Sequence, residues 1–119
     1  MSDTATSSTP LLVACLCAEW CGACRDYRGI FDAVAQEHSD MRFVWVDIED
    51  ESDLVDPVEV ENFPTLLIAD ADGARFFGTV LPHKDTLVRL IRSQRDAAAS
   101  RSALGADVHA VAHRLTARR

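Results

Sequence analysis

The stretch Leu11-Leu12-Val13-Ala14-Cys15-Leu16-Cys17-Ala18-Glu19-Trp20-Cys21-Gly22-Ala23-Cys24 decides how this chain folds. Its first half is a continuous apolar run behind Pro10, the pattern of a buried strand. Its second half sets two thiols at i and i+3. Beyond them Tyr27, Ile30, Phe31, Val34 and Ala35 recur at three- and four-residue spacing, which predicts an amphipathic helix from about Cys21 to His38. A strand therefore feeds a helix at the cysteine pair. Unpaired N–H groups and the positive end of the helix dipole favour a thiolate there, with a pKa lowered to roughly 3.5–7.5. Cys21 reads as a nucleophile. Cys24, one turn further in, reads as a resolving thiol close enough to close a small disulfide ring. The same spacing also occurs in zinc sites.

Working outward, Met41 to Ile48 is β-branched and aromatic and predicts a second strand. The acidic stretch Glu49 to Asp56 suits a loop and the first turn of a helix near Asp53 to Val60. Thr65 to Ala69 is a third strand, and the turn residues Asp70-Ala71-Asp72-Gly73 return the chain as a hairpin through Ala74 to Phe77. His83 to Arg95 carries Leu87, Leu90 and Ile91 on one helical face. Leu104, Val108, Val111 and Leu115 place a further short helix near the C-terminus. Alternating strands and helices predict an α/β fold with a parallel pair and crossovers.

A length of 119 residues allows one core, and 48% apolar with 26% charged residues is ordinary globular composition. Wholesale disorder, collagen and a membrane-spanning bundle are excluded. The net charge of -7 argues against nucleic acid as a partner. That charge is split. Residues 1–88 hold 17 acidic and 5 basic side chains, whereas residues 89–119 hold 2 acidic and 7 basic. Residues 1–10 lack the positive region of a secretory signal, and the apolar run is too short to span a bilayer, so the expectation is a cytoplasmic protein with no membrane partner.

Ala18-Glu19-Trp20-Cys21-Gly22-Ala23-Cys24 after a buried strand, Val46-Asp47-Ile48-Glu49 closing the next, and Phe63-Pro64-Thr65 opening a third together resemble the thioredoxin family. The resemblance runs from about Leu11 to Arg92. It implies a central mixed β-sheet flanked by helices, with Pro64 in a cis peptide facing the cysteines. It also implies thiol-disulfide exchange, in which Cys21 attacks a substrate disulfide and Cys24 resolves the mixed disulfide. By the family pattern Trp20, Gly22, Ala23, Phe63 and Pro64 frame the groove for a protein disulfide substrate. A reductase or other thiol donor recharges the pair. No metal or cofactor is implied, and a monomer is expected. The expected layout is a flexible N-terminus at 1–10, a thioredoxin-like domain at 11–95, and a basic extension at 96–119, helical or partly disordered.

The chain departs from the family in four ways. The expected fold is without the usual strand and helix before the cysteine-bearing strand, which leaves one sheet edge open or covered by the C-terminal segment. The family's buried Asp and neighbouring Lys are replaced, by ungapped counting, by Cys15 and Trp45. Water, Glu19 or no base at all then assists the resolving thiol. A family Trp is replaced by Cys17, and the dipeptide between the cysteines is Gly-Ala.

Cys15 and Cys17 read first as small core hydrophobes. Cys17 is the better placed of the two to act as an accessory thiol, and all four cysteines together are a conceivable zinc set. A disulfide-sensing regulator in which Cys17 joins the exchange is one alternative function. A binding module with little turnover that docks through its C-terminal segment is another. His109 and His113 read as a solvated helix face and His83 as loop. The run Asp47 to Asp56 reads as an acidic surface, and Trp45 as a core or strand-face aromatic. Arg114, Arg118 and Arg119 read as a solubilising tail or a patch for an acidic partner, including the chain's own acidic body.

Overall fold

The computed structural model describes residues 11–18, 20–56, 58, 60, 62–70, 73–96 and 104–117. Strands β1 (Leu12–Cys17), β2 (Arg42–Asp47), β3 (Thr65–Asp70) and β4 (Gly73–Thr79) form one sheet in the order β2-β1-β3-β4. β1 runs parallel to β2 and antiparallel to β3, which pairs antiparallel with β4, so the sheet is mixed as expected. The helices are α1 (Gly22–Glu37), α2 (Ser52–Val55), α3 (Lys84–Asp96) and α4 (Ala106–Ala117).

The two-residue period of β1 sorts its side chains between two cores. Leu11, Val13, Cys15 and Cys17 join Cys24, Tyr27, Phe31 and Val34 of α1 and Leu87 and Ile91 of α3. Leu12, Ala14 and Leu16 join Val46, Leu67 and Ala69 from the sheet with Val108, Val111, Ala112 and Leu115 of α4. Both faces of β1 are thus covered, which is why its sequence is an unbroken apolar run.

The C-terminal helix covers a face of the sheet, packing mainly against β4, β3 and α2, and its Thr116 carbonyl accepts a hydrogen bond from Arg42 at the start of the edge strand β2 at 3.2 Å. Its Arg114 bonds the Asp53 carbonyl at 2.6 Å and pairs with Asp56 at 2.9 Å, so this cation meets the chain's own acidic body. Arg118 and Arg119, like the expected flexible segment 1–10, lie outside the described residues.

Two expectations are corrected. The helix near Asp53 to Val60 is a single turn ending at Val55, because Pro57 brings no N–H to continue it. His109 is not on a solvated face: its Nδ1 accepts the Ala74 N–H at 3.1 Å, fastening α4 to the start of β4. His113 alone is exposed. Gly73 serves the same junction. Its φ of 137° suits glycine, and a Cβ there would sit 2.8 Å from His109 Nδ1.

Candidate functional site

The carboxyl end of β1 and the start of α1 bring the sulfurs together. Cys21 is the N-cap of α1, with extended φ/ψ of -86° and 121° and no side-chain capping bond. Its N–H donates to the Ala18 carbonyl at 3.0 Å and its carbonyl accepts from Arg25, so the backbone closes the turn and the thiol stays free. Cys21 is partly exposed; Cys24, one turn on, is buried to 1%.

The pairing differs from the expected one. Cys24 is bonded to Cys17, not to Cys21. The reason is the facing of the two elements. Cys17 points from β1 toward α1, Cys24 points inward with Tyr27, Phe31 and Val34, and their Cα atoms stand 5.8 Å apart, a normal disulfide spacing. Cys17 is therefore more than a core hydrophobe, although it is as buried as one. The signal was in the sequence: period two puts Cys15 and Cys17 on one side of β1, and the helical stripe of α1 begins at Cys24.

Cys15 is a free thiol, fully buried, 3.7 Å from Cys17 Sγ. It and Trp45, which replace the expected acid and base, are partners across the β1–β2 pairing. Burial pushes the Cys15 thiol up to about 12, with the Arg28 charge opposing. Trp45 lies under the Arg28 guanidinium, 5.1 Å from ring centroid to Cζ, and meets Phe31 edge-on. A cleft of about 550 Å³ opens between these groups, lined by Cys24, Arg25, Arg28, Trp45 and Asp47. Among the described residues, no group of three or more His, Cys, Asp or Glu is arranged to hold a metal ion.

The outer wall is aromatic. Trp20 is 61% exposed and meets Phe63 edge-on at 5.6 Å. Its indole N–H donates to Glu49 at 2.9 Å. Asp47, in turn, accepts the N–H groups of Glu49 and Asp50, so the acidic turn after β2 holds the Trp20 ring in place. The Phe63–Pro64 peptide is cis. Thr65 Oγ1 donates to the Asn62 carbonyl at 2.7 Å, and the Pro64 carbonyl accepts the Val80 N–H, which fixes this segment at the top of β3. Gly22 and Ala23 are exposed on the first turn of α1. Glu19 lies outside the described residues.

Burial sets an expectation for alkaline pH. The folded pKa of Cys15 lies above its unfolded value of about 8.5. Its stabilising contribution is complete below that value and is lost as pH climbs toward about 12. Tyr27, whose hydroxyl is enclosed without a hydrogen-bond partner among the described residues, is likewise raised from its ordinary value by burial and by Cys15. It is the only tyrosine, so phenolate absorbance at 295 nm reports one site. That absorbance should stay flat through pH 10 and rise together with loss of helical circular dichroism. A simple titration near pH 10 in a fully helical protein would contradict the packing.

A thioredoxin family model matches residues 2–93. Thioredoxin H2-1 of Oryza sativa subsp. japonica is 28% identical over 99 residues, covering 82% of this chain and 70% of that protein. A thioredoxin of Mycoplasmoides gallisepticum is 32% identical over 65 residues, or 55% of this chain. The chain spans just under two thirds, 65%, of that relative's length. The crystal structure of thioredoxin NaTrxh from Nicotiana alata superposes with a TM-score of 0.66 at 28% identity, over 76% of this chain and 81% of that one. The Fasciola hepatica thioredoxin shares the fold, with a TM-score of 0.67 at 21% identity, over 76% and 86%.

Proposed function

Because the chain belongs to the thioredoxin family, we propose that it is a thiol-disulfide oxidoreductase acting on protein disulfides, with Cys21 as the attacking thiol. The observation that carries this reading is a free, partly exposed thiol at the N-cap of α1, three residues before the buried Cys24 and next in the chain to Trp20, whose ring meets Phe63. The thiolate is the reactive form of cysteine, and the helix start stabilises negative charge. Cys21 attacks one sulfur of a substrate disulfide and expels the other as a thiolate. Cys24, when reduced, attacks Cys21 Sγ and expels the second substrate thiolate. Trp20, Gly22, Ala23 and the Phe63–Pro64 segment frame the groove in which an extended substrate chain lies alongside the backbone, a mode of recognition with weak sequence preference.

The setting we propose is cytoplasmic, where a thiol donor such as a reductase restores the dithiol and the protein takes part in cellular redox balance. With dithiothreitol as donor, the full chain should accelerate insulin reduction, read as turbidity from the released B chain. A rate equal to that of dithiothreitol alone would overturn this reading.

A further inference from the structure

We propose that Cys17 is a second resolving thiol, which takes Cys24 from Cys21 and stores the oxidised state as a buried Cys17–Cys24 disulfide while Cys21 is released as a free thiol. The proposal rests on the reading of Cys21 as the attacking thiol, and extends it past the point where a two-cysteine exchange would end.

Cys24 has two candidate partner sulfurs. Cys21 is the N-cap one helical turn before it, and Cys17 faces it from the end of β1 with Cα atoms 5.8 Å apart. Cys21 is the partly exposed sulfur. Cys17 and Cys24 are each 1% exposed, so an external thiol meets Cys21 far more readily than their bond. Cys15 is no rival partner for Cys24. It is free in this structure, 3.7 Å behind Cys17, where its thiol donates toward Cys17 Sγ and supports that sulfur when it carries charge.

The sequence of steps balances. Cys21 thiolate attacks R–S–S–R′ to give Cys21–S–S–R and R′S⁻. Cys24 thiolate attacks Cys21 Sγ, giving Cys21–S–S–Cys24 and RS⁻. Cys17 thiolate then attacks Cys24 Sγ, forming Cys17–S–S–Cys24 and expelling Cys21 thiolate. Two electrons pass from Cys17 and Cys24 to the substrate disulfide, and the two protein thiol protons end on RSH and R′SH. Recharging runs in reverse. Cys21 thiolate attacks Cys24, Cys17 leaves, and a donor dithiol attacks the exposed Cys21 sulfur. The oxidised protein thus hides its disulfide and still presents a nucleophile.

Native alkylation tests this. The full chain is oxidised with diamide at low concentration, freed of oxidant, and treated with iodoacetamide without denaturant. One adduct is expected, on Cys21, since Cys15 is buried. No adduct would mean that Cys21 is paired, and would overturn the proposal. All four cysteines precede the first tryptic site at Arg25, but Glu19 separates them. Digestion with a Glu-specific protease and trypsin should therefore yield two peptides joined by Cys17–Cys24. An internal Cys21–Cys24 bond in the peptide beginning at Trp20 is the contrary result.

We expect at least a tenfold excess of the Cys17 pairing in the oxidised pool. Cys17→Ser should then raise the reduction potential of the couple by at least about 30 mV, the equivalent of tenfold for two electrons. An unchanged potential counts against the relay. Insulin reduction without native labelling would leave the oxidoreductase reading standing and remove the relay. Labelling without insulin reduction would remove the oxidoreductase reading, and with it the relay as a catalytic step.

Discussion

Ending the chain after Gly105 is expected to abolish cooperative folding, although the cysteine motif and the whole sheet remain. Helix α4 supplies Val108, Val111, Ala112 and Leu115 to the core shared with β1 and β3. Val111, Ala112 and Leu115 are fully buried and Val108 nearly so. Each buried Val or Leu contributes about 1.5–3 kcal/mol, and the total stability of a domain is about 5–15 kcal/mol. Losing three of them, together with the His109 acceptor that satisfies the Ala74 N–H, removes a share comparable to the whole.

The check is thermal unfolding followed by near-ultraviolet circular dichroism. The shortened chain should show no sharp transition, and a midpoint within a few degrees of the full protein would refute the role given to α4. A milder form of the same prediction keeps the chain length. Leu115→Ala should cost about 2–5 kcal/mol in urea unfolding, whereas Leu115→Met should cost less than about 1.5.

The second large effect is chemical. Cys21→Ser is expected to lower insulin reduction at least a hundredfold, about 3 kcal/mol of barrier, to the rate of dithiothreitol alone. A serine hydroxyl is not ionised at neutral pH, and no other described cysteine is accessible: Cys15, Cys17 and Cys24 are each at most 1% exposed. The substitution should hardly touch stability, because Cys21 makes no side-chain cap and sits at the surface end of its cluster. Residual activity within tenfold of the parent would show that another sulfur initiates exchange. Trp20→Ala is a useful contrast: it removes an exposed wall and should weaken substrate capture more than the sulfur chemistry.

Much of this molecule is legible in the linear chain, for local reasons. The apolar run before Cys21 predicts a doubly covered strand. The stripe from Tyr27 to Val34 predicts the helix that follows, and Asp70 to Gly73 predicts the hairpin. These are consequences of period and turn chemistry, which act over a few residues. The family resemblance rests on the same local motifs, at Trp20 to Cys24 and Phe63 to Thr65.

The helix near Asp53 is shorter than its acidic first turn suggests, because Pro57 has no N–H to continue it. The place of His109 is not legible locally, because its partner, Ala74, lies 35 positions away on another element. Arg114 carried its charge in plain view, but the sequence did not say whether Asp56 or an outside partner would meet it.

The sequence by itself determined that four thiols cluster around one strand-to-helix turn, and that one of them stands at a helix start. Only the tertiary structure decided which sulfur Cys24 meets. Pairing depends on the distance and facing of side chains across two packed elements, and i, i+3 spacing along one helix competes with a strand residue seven positions back. β1 turns Cys17 toward α1 by its two-residue alternation, while α1 turns Cys24 toward β1 by its 3.6-residue period. The place where these periods coincide is fixed by how the helix lies on the sheet.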